Sequence, residues 1–218
     1  MTDLSDLATR VERLESIEEI RQLTAKYSLA VDMRDTDALV ALFPEDVQVG
    51  GGKTGRKALR DWFDETLSQQ CDGTAHHLGT QIVEFDDLDH AQGIVYSKNE
   101  HETGAEWVIM QMMYFDKYER TGGRWFFRRR LPLYWYATDL NKPPVGSRKM
   151  RWPGYPPYEG GFHDLFPSWK EFWERAGKPF DAPVAEPAQL EKFIDRMRRG
   201  HPLPRPRVRS SSPGQPLD

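Results

Sequence analysis

Between Ala75 and Thr138 the chain lays down four long β-patterned segments in a row: AHHLGTQIVEF, QGIVYSKNEHET, EWVIMQMMYFDKYER and RWFFRRRLPLYWYAT. They are rich in β-branched and aromatic residues, and the connectors DDLDHA, GA and TGG are short and turn-forming. Connectors this short cannot carry a crossover, so neighbouring segments must pair as antiparallel hairpins. A meander of this kind has an apolar face that something else has to cover.

The preceding third supplies the cover. Leu4, Leu7, Val11, Leu14, Ile17, Ile20 and Leu23 recur at steps of three and four, a helical stripe. Ser16 with Glu19 three residues on reads as a capping box, where a first helix gives way to a second that runs to about Arg34. DTDALVALF reads as a short helix capped by Asp35 or Thr36 and stopped by Pro44. EDVQVGGGKTG suggests a short strand and a Gly-rich turn, and RKALRDWFDETLSQQ another amphipathic helix. Helices followed by a long antiparallel meander imply an α+β fold, with helices on one face of a curved sheet.

Past Asn141 the composition shifts. NKPPVGSRKMRWPGYPPYEGG is rich in Pro and Gly and reads as irregular. FPSWKEFWERAG and PAQLEKFIDRMRR read as two short helices, with Pro167 and Pro187 in first-turn positions. HPLPRPRVRSSSPGQPLD is too rich in Pro and Arg to form a core. The chain thus divides into a folded body, residues 1–140, an extension, 141–200, and a tail, 201–218.

Charge and cysteine usage narrow the function classes. The net charge of −4 and the pI near 5.9 give no basic footprint, so no nucleic-acid partner is expected. No apolar run approaches a membrane span, the first residues lack the apolar core of a signal peptide, and Cys71 is the single cysteine. A cytoplasmic protein is expected. Trp, Tyr and Phe make up 12% of the chain, a surplus that suits a pocket for a flat apolar ligand.

Several chemistry-bearing residues fall where they could share one interior. Tyr27 and Asp32 are five apart on a helix, about 140° around it, so both can line a pocket only if the helix walls it or ends there. His76 and His77 are neighbours on a strand and must point to opposite faces. Asn99 and His101 share a face of the second strand; Arg128 and Arg130 would share one on the fourth unless a bulge shifts the phase.

The stretches IRQLTAKYSLAVDMRDTDALVALF, HHLGTQIVEFDDLDHAQGIVYSKNEHE and RTGGRWFFRRRL carry Y-x-x-x-x-D, H-x-x-G, Y-x-x-x-x-H and G-x-W ahead of an arginine, in that order. Over residues 10 to 140 the chain resembles the SnoaL-like branch of the nuclear transport factor 2-like superfamily. The resemblance implies a cystatin-like cone, a strongly curved antiparallel sheet wrapped around N-terminal helices, with a deep pocket inside. It implies elimination chemistry by a His–Asp pair without metal or organic cofactor, as in scytalone dehydratase, a bile-acid dehydratase and a dehydrochlorinase. Carried over by position, Asp32 is the dyad carboxylate and His76, three before Gly79, the dyad histidine. Tyr27 and His101 fall at assisting positions, and Arg130 and Asn99 at charge-stabilising ones. Tyr96 and Trp107 complete the set as aromatic substrate contacts. His77 is expected to be structural.

The implied substrate is a small aromatic or polycyclic hydroxylated molecule, and the implied reaction is dehydration. Dehydration-linked loss of formaldehyde, as in superfamily members that act on lignin-derived diarylpropanes, is the related outcome. The implied assembly is a homo-oligomer, a trimer ahead of a dimer. Two other readings stand beside this one. Asp32, His76 and His101 could instead form a two-histidine, one-carboxylate iron site. The same fold also serves as a non-catalytic binding or assembly module. Each residue has a structural alternative as well: Asp32 as a turn cap, His76 as a satisfied buried histidine, Tyr27 as plain core.

Overall fold

The computed structural model describes residues 4–146, 148–158, 163 and 167–177. A single helix, α1 (Leu4–Asp32), stands where two were expected. Ser16 does not cap a new helix; it is buried on the same side as Ile20, Leu23 and Thr24. No Gly or Pro lies between Leu4 and Asp32, so nothing forces the break that a capping box requires. The apolar stripe is divided between two sides: Ile20 and Leu23 enter the core, whereas Leu4, Leu7, Val11 and Leu14 are exposed.

The next helix, α2 (Thr36–Val40), is capped by Asp35, whose side chain accepts from the Ala38 N–H at 2.9 Å. The segment after Pro44 forms only an isolated bridge, Gln48 to Thr54, in place of the expected short strand. Helix α3 (Arg56–Gln70) follows.

Four strands come next: β1 (Gly73–Phe85), β2 (His90–Thr103), β3 (Glu106–Thr121) and β4 (Arg124–Asp139). They form one antiparallel sheet in sequence order, curved and unclosed. Register shifts between Leu78 and Gln81, Gln111 and Met112, and Lys117 and Tyr118 bend it, since an extra residue on one strand increases local twist. Strand β2 shows the facing most plainly. Ala91, Gly93, Val95, Ser97, Asn99 and His101 are all buried, and the residues between them are less so. The inner face is therefore apolar at one end and polar at the other.

At the apolar end, α1, α2 and α3 pack on the sheet through Ile20, Val31, Leu39, Phe43, Phe63, Tyr118 and Phe127. A second cluster of Val95, Val108, Met110, Met112 and Tyr114 lines the polar end. The opposite face holds Met113, Phe115, Leu131 and Leu133. Trp135 beside that cluster meets His163 at 4.8 Å, and His163 meets Trp169 of α4 (Pro167–Arg175) at 4.5 Å, so the extension lies over the outer face. The expected helix over PAQLEKFIDRMRR and the tail 201–218 lie outside the described residues. No helix among the described residues is long and apolar enough to cross a membrane.

Candidate active site

Helix α1 ends at Asp32, and its ending sets the geometry of the site. Arg34 takes a left-handed conformation (φ 58°), with Asp35 N–H bonded to Ala30 C=O at 2.9 Å and Arg34 N–H to Val31 C=O at 3.1 Å. That is a Schellman ending with arginine where glycine is usual. The Arg34 side chain folds back onto Val31 C=O at 2.8 Å, Thr74 Oγ1 at 2.7 Å and Cys71 C=O at 3.2 Å. Asp32, in the last turn, is left facing β1.

There it meets His76. Asp32 Oδ1 lies 2.7 Å from His76 Nδ1, and Oδ2 accepts the His76 backbone N–H at 2.8 Å. Thr74, two residues before His76 on the same strand face, donates to Oδ1 at 2.9 Å. Burial pushes the Asp32 carboxyl up, but the bonds from His76 and Thr74 outweigh it and hold it below the usual carboxylate range. With Nδ1 facing the carboxylate, the neutral imidazole carries its proton there and presents the Nε2 lone pair. Among the described residues Nε2 has no hydrogen-bond partner. The His76 side chain is 8% exposed and that of His77 64%, so the two histidines face opposite ways, as strand alternation requires.

His101 stands beside His76, ring centroids 6.1 Å apart. Among the described residues its Nδ1 is buried without a hydrogen-bond partner. Burial, reinforced by His76, pushes its pKa down to about 4, so it is neutral near pH 7 and acts as a hydrogen-bonding group rather than as an acid. Asn99 is paired with His76 across β1 and β2 and is fully buried. Its amide donates to Met112 Sδ at 3.0 Å and to Tyr114 Oη at 3.3 Å, and its carbonyl accepts from Ser97. With these groups engaged, Asn99 is a hub of the interior rather than a free donor.

Deeper in the cone, Arg130 bonds both oxygens of Asp116, Nε and Nη2 each at 3.0 Å. Both side chains are enclosed, and Tyr118 donates to Asp116 at 2.8 Å. The guanidinium lies over the rings of Tyr114 (3.9 Å), Tyr27 (4.2 Å) and Phe127 (4.6 Å), and Nη1 is buried with no hydrogen-bond partner among the described residues. Phe127 and Arg130 both point inward although they are three positions apart, because the bulge at Arg128 shifts the phase. Arg128 instead pairs with Asp46 at 2.6 Å on the outside, so the shared face expected for Arg128 and Arg130 is not formed. Burial raises the Tyr27 phenol, which keeps its proton at ordinary pH.

Two expected contacts are not in the site. Tyr96 lies between inward-facing Val95 and Ser97 and therefore points the other way, packing beside Met113, Phe115, Leu131 and Leu133. Trp107, before inward-facing Val108, is on that outer side as well and is 44% exposed. Nor does the carboxylate–histidine set gather as metal ligands. No group of three His, Cys, Asp or Glu side chains suited to a metal occurs among the described residues, and both Asp32 oxygens are engaged by His76 and Thr74. Thr74, Arg34, Asp116 and Trp152 also stand in the site, outside the motifs that point to the others. The parity of Thr74 with His76 was a usable signal; Trp152, 5.3 Å from His101 by ring centroids, had none.

Residues 12–131, more than half of the chain, match the SnoaL-like domain family. The chain belongs to this family. Solved structures share the fold. A candidate scytalone dehydratase from Novosphingobium aromaticivorans DSM 12444 is 26% identical with a TM-score of 0.53, over 67% of this chain and 99% of that one. A hexachlorocyclohexane dehydrochlorinase from Novosphingobium barchaimii LL02 is 22% identical with a TM-score of 0.56, over 63% of this chain and 98% of that one. These neighbours are almost wholly covered, which leaves about a third of this chain without a counterpart in them. No curated protein matches.

Proposed function

We propose that this SnoaL-like protein is a cofactor-independent lyase acting on an aromatic hydroxylated substrate, with His76 as its base. The observation that carries this reading is the His76–Asp32 pair, its imidazole buried, with Nδ1 held at 2.7 Å and Nε2 left without a partner among the described residues. A carboxylate in that position fixes the tautomer and stabilises the imidazolium that forms when Nε2 takes a proton. The family and its dehydratase and dehydrochlorinase neighbours support lyase chemistry in general.

In the simplest course, Nε2 removes a proton from the substrate and the adjacent C–O bond breaks. The departing hydroxyl takes that same proton from the imidazolium, so one residue serves both halves and water is the product. Tyr27 and His101 assist as neutral hydrogen-bonding groups. The unpartnered Nη1 of Arg130 faces the charge that develops on the substrate oxygen. A phenol with a benzylic hydroxyl would pass through a quinone methide. If a hydroxymethyl group stands on the next carbon, loss of its O–H proton and scission of the C–C bond release formaldehyde and return the electrons to the ring. We further propose that the working form is a homo-oligomer in the cytoplasm, a trimer ahead of a dimer.

The test is turnover of phenolic substrates bearing a benzylic hydroxyl by the purified protein and by His76→Ala, with water-loss and formaldehyde products both measured. Loss of about 100-fold or more is expected, the usual worth of a positioned base. Equal turnover by the two proteins overturns the reading.

A further inference from the structure

The extension does more than cover the outer face. Its first part returns to the polar end of the cone. Met150 bridges Ala137 in parallel and Tyr158 antiparallel, so a short flap, Met150–Tyr158, continues the sheet beyond β4. Arg151 N–H bonds Ala137 C=O at 2.7 Å, Ala137 N–H bonds Lys149 C=O at 3.1 Å, and Met150 and Tyr158 exchange bonds at 3.0 and 2.9 Å. Thr138 Oγ1 donates to Lys142 C=O at 2.6 Å and ties down the strand that leads there. The flap is thus hydrogen-bonded into the fold. Its turn, WPGY, closes with Tyr155 N–H on Trp152 C=O at 3.2 Å, Gly154 supplying the left-handed residue (φ 79°).

Met150 is 3% exposed and packs with Val108, Met110 and Ala137. Two residues on, Trp152 enters the same inner cluster and places its ring against His101, centroids 5.3 Å apart at 77°. His101 in turn meets His76 at 6.1 Å and 75°. The three rings make contact in series, and His101 keeps a buried Nδ1 without a hydrogen-bond partner among the described residues. His101 is the ring that both His76 and Trp152 contact, and a ligand that meets His76 Nε2 and Trp152 together spans both contacts.

We propose that Trp152 is a specificity-determining residue of this site: the flap gives the cone an added aromatic wall that selects ligands with a second ring. The inference rests on the reading of His76 as the working centre. The wall belongs to the part of this chain beyond the family match, which ends at Leu131. The solved neighbours leave about a third of this chain unmatched. Trp152 is only partly buried, so part of its ring is left to meet a ligand, and aromatic pairs add to affinity beyond the area they bury.

Binding tests this apart from catalysis. Calorimetric titration of the full chain with phenol and with biphenyl-4-ol is compared for the natural protein, Trp152→Ala and Trp152→Phe. Biphenyl-4-ol is expected to bind at least about 10-fold more tightly than phenol, and Trp152→Ala to remove about 10-fold of that advantage while moving phenol by less than about 2-fold. Trp152→Phe restores most of the difference. Equal losses for both ligands would mean that Trp152 is only a plug at the open end, and an unchanged ratio would mean that it meets no ligand. Either result overturns the proposal, as does a natural protein that binds neither probe. If Trp152→Ala unfolds by circular dichroism, the Phe variant against Trp152→Leu carries the same comparison. His76→Ala, tested for turnover and for binding of the same probes, reports on the lyase reading separately.

Discussion

One carboxylate holds two different parts of one histidine: Asp32 takes the His76 ring through Oδ1 at 2.7 Å and the His76 backbone N–H through Oδ2 at 2.8 Å. Helix α1 is thereby fastened to edge strand β1 at the point where the base sits. The ring cannot turn without breaking a bond to an anion, and the strand cannot slide without carrying the ring with it. Orientation and register share one anchor.

Substitutions at this anchor should therefore separate rate from binding. Asp32→Asn leaves the shape but removes the charge that favours the imidazolium, and turnover should fall by about 100- to 10,000-fold. Thr74→Val removes one hydrogen bond to the carboxylate, worth about 1.5–3 kcal/mol, and turnover should fall by about 10- to 100-fold. The check is kcat against ligand affinity for each variant: kcat drops in both, and the Kd for a phenolic ligand stays within a few-fold.

The buried pair of Arg130 and Asp116 makes a prediction about stability. Removing one partner strands a charge with no water beside it. Arg130→Met should cost about 3–5 kcal/mol in urea unfolding at pH 7. The double variant Arg130→Met with Asp116→Leu should recover much of that loss, because an apolar pair of similar volume carries no desolvation cost. Recovery of stability without recovery of turnover would assign Arg130 Nη1 to the chemistry.

Much of this was legible in alternation and periodicity, and the failures have local causes. The opposite facing of His76 and His77 follows from strand parity alone. The same parity, applied from Asn99, puts Tyr96 on the outer face; the family pattern led away from it. Among Arg128, Arg129 and Arg130 only the position of the bulge decides, and no residue there announces it. The unbroken α1 shows that a capping sequence inside a strong helix remains helical when nothing disrupts the backbone. Trp152 could not be placed in advance, because the bridge from Ala137 to Met150 leaves no local periodic trace.

Gly93 probes the apolar end of the cone. A Cβ there would stand 2.8 Å from Ile82 C=O and 3.0 Å from Tyr118 Cε2, a backbone atom and a ring with little room to move. Tyr118 is the donor to Asp116, so the clash passes into the buried pair. Gly93→Ala should destabilise by about 1–3 kcal/mol, read as a lower urea midpoint with an unchanged slope.

His101 sets the pH dependence of stability. Its pKa in the fold is lowered to about 4 by burial and by His76, against about 6.5 in the unfolded chain. Between those values the unfolded state binds the extra proton. Stability is therefore fully present above about pH 6.5, falls as pH drops toward 4, and stops falling on this account below 4. The shift corresponds to a loss on the order of 3 kcal/mol across the window. The charged groups acting on it are His76, Asp32 and Arg34. Asp32, lowered below the usual carboxylate range, adds a separate loss only at lower pH, as its carboxylate is protonated. His163, lowered by burial in the extension, acts with the same sign as His101, so a second variant is needed to isolate the effect. In urea unfolding from pH 4 to 7 His101 should make the midpoint climb with pH, against the opposite slope from Asp116 and His90, whose pKa values are raised. His101→Asn should flatten most of that climb and His163→Asn less of it. A slope unchanged in His101→Asn would mean that this ring is already protonated, or already solvated, in the native fold.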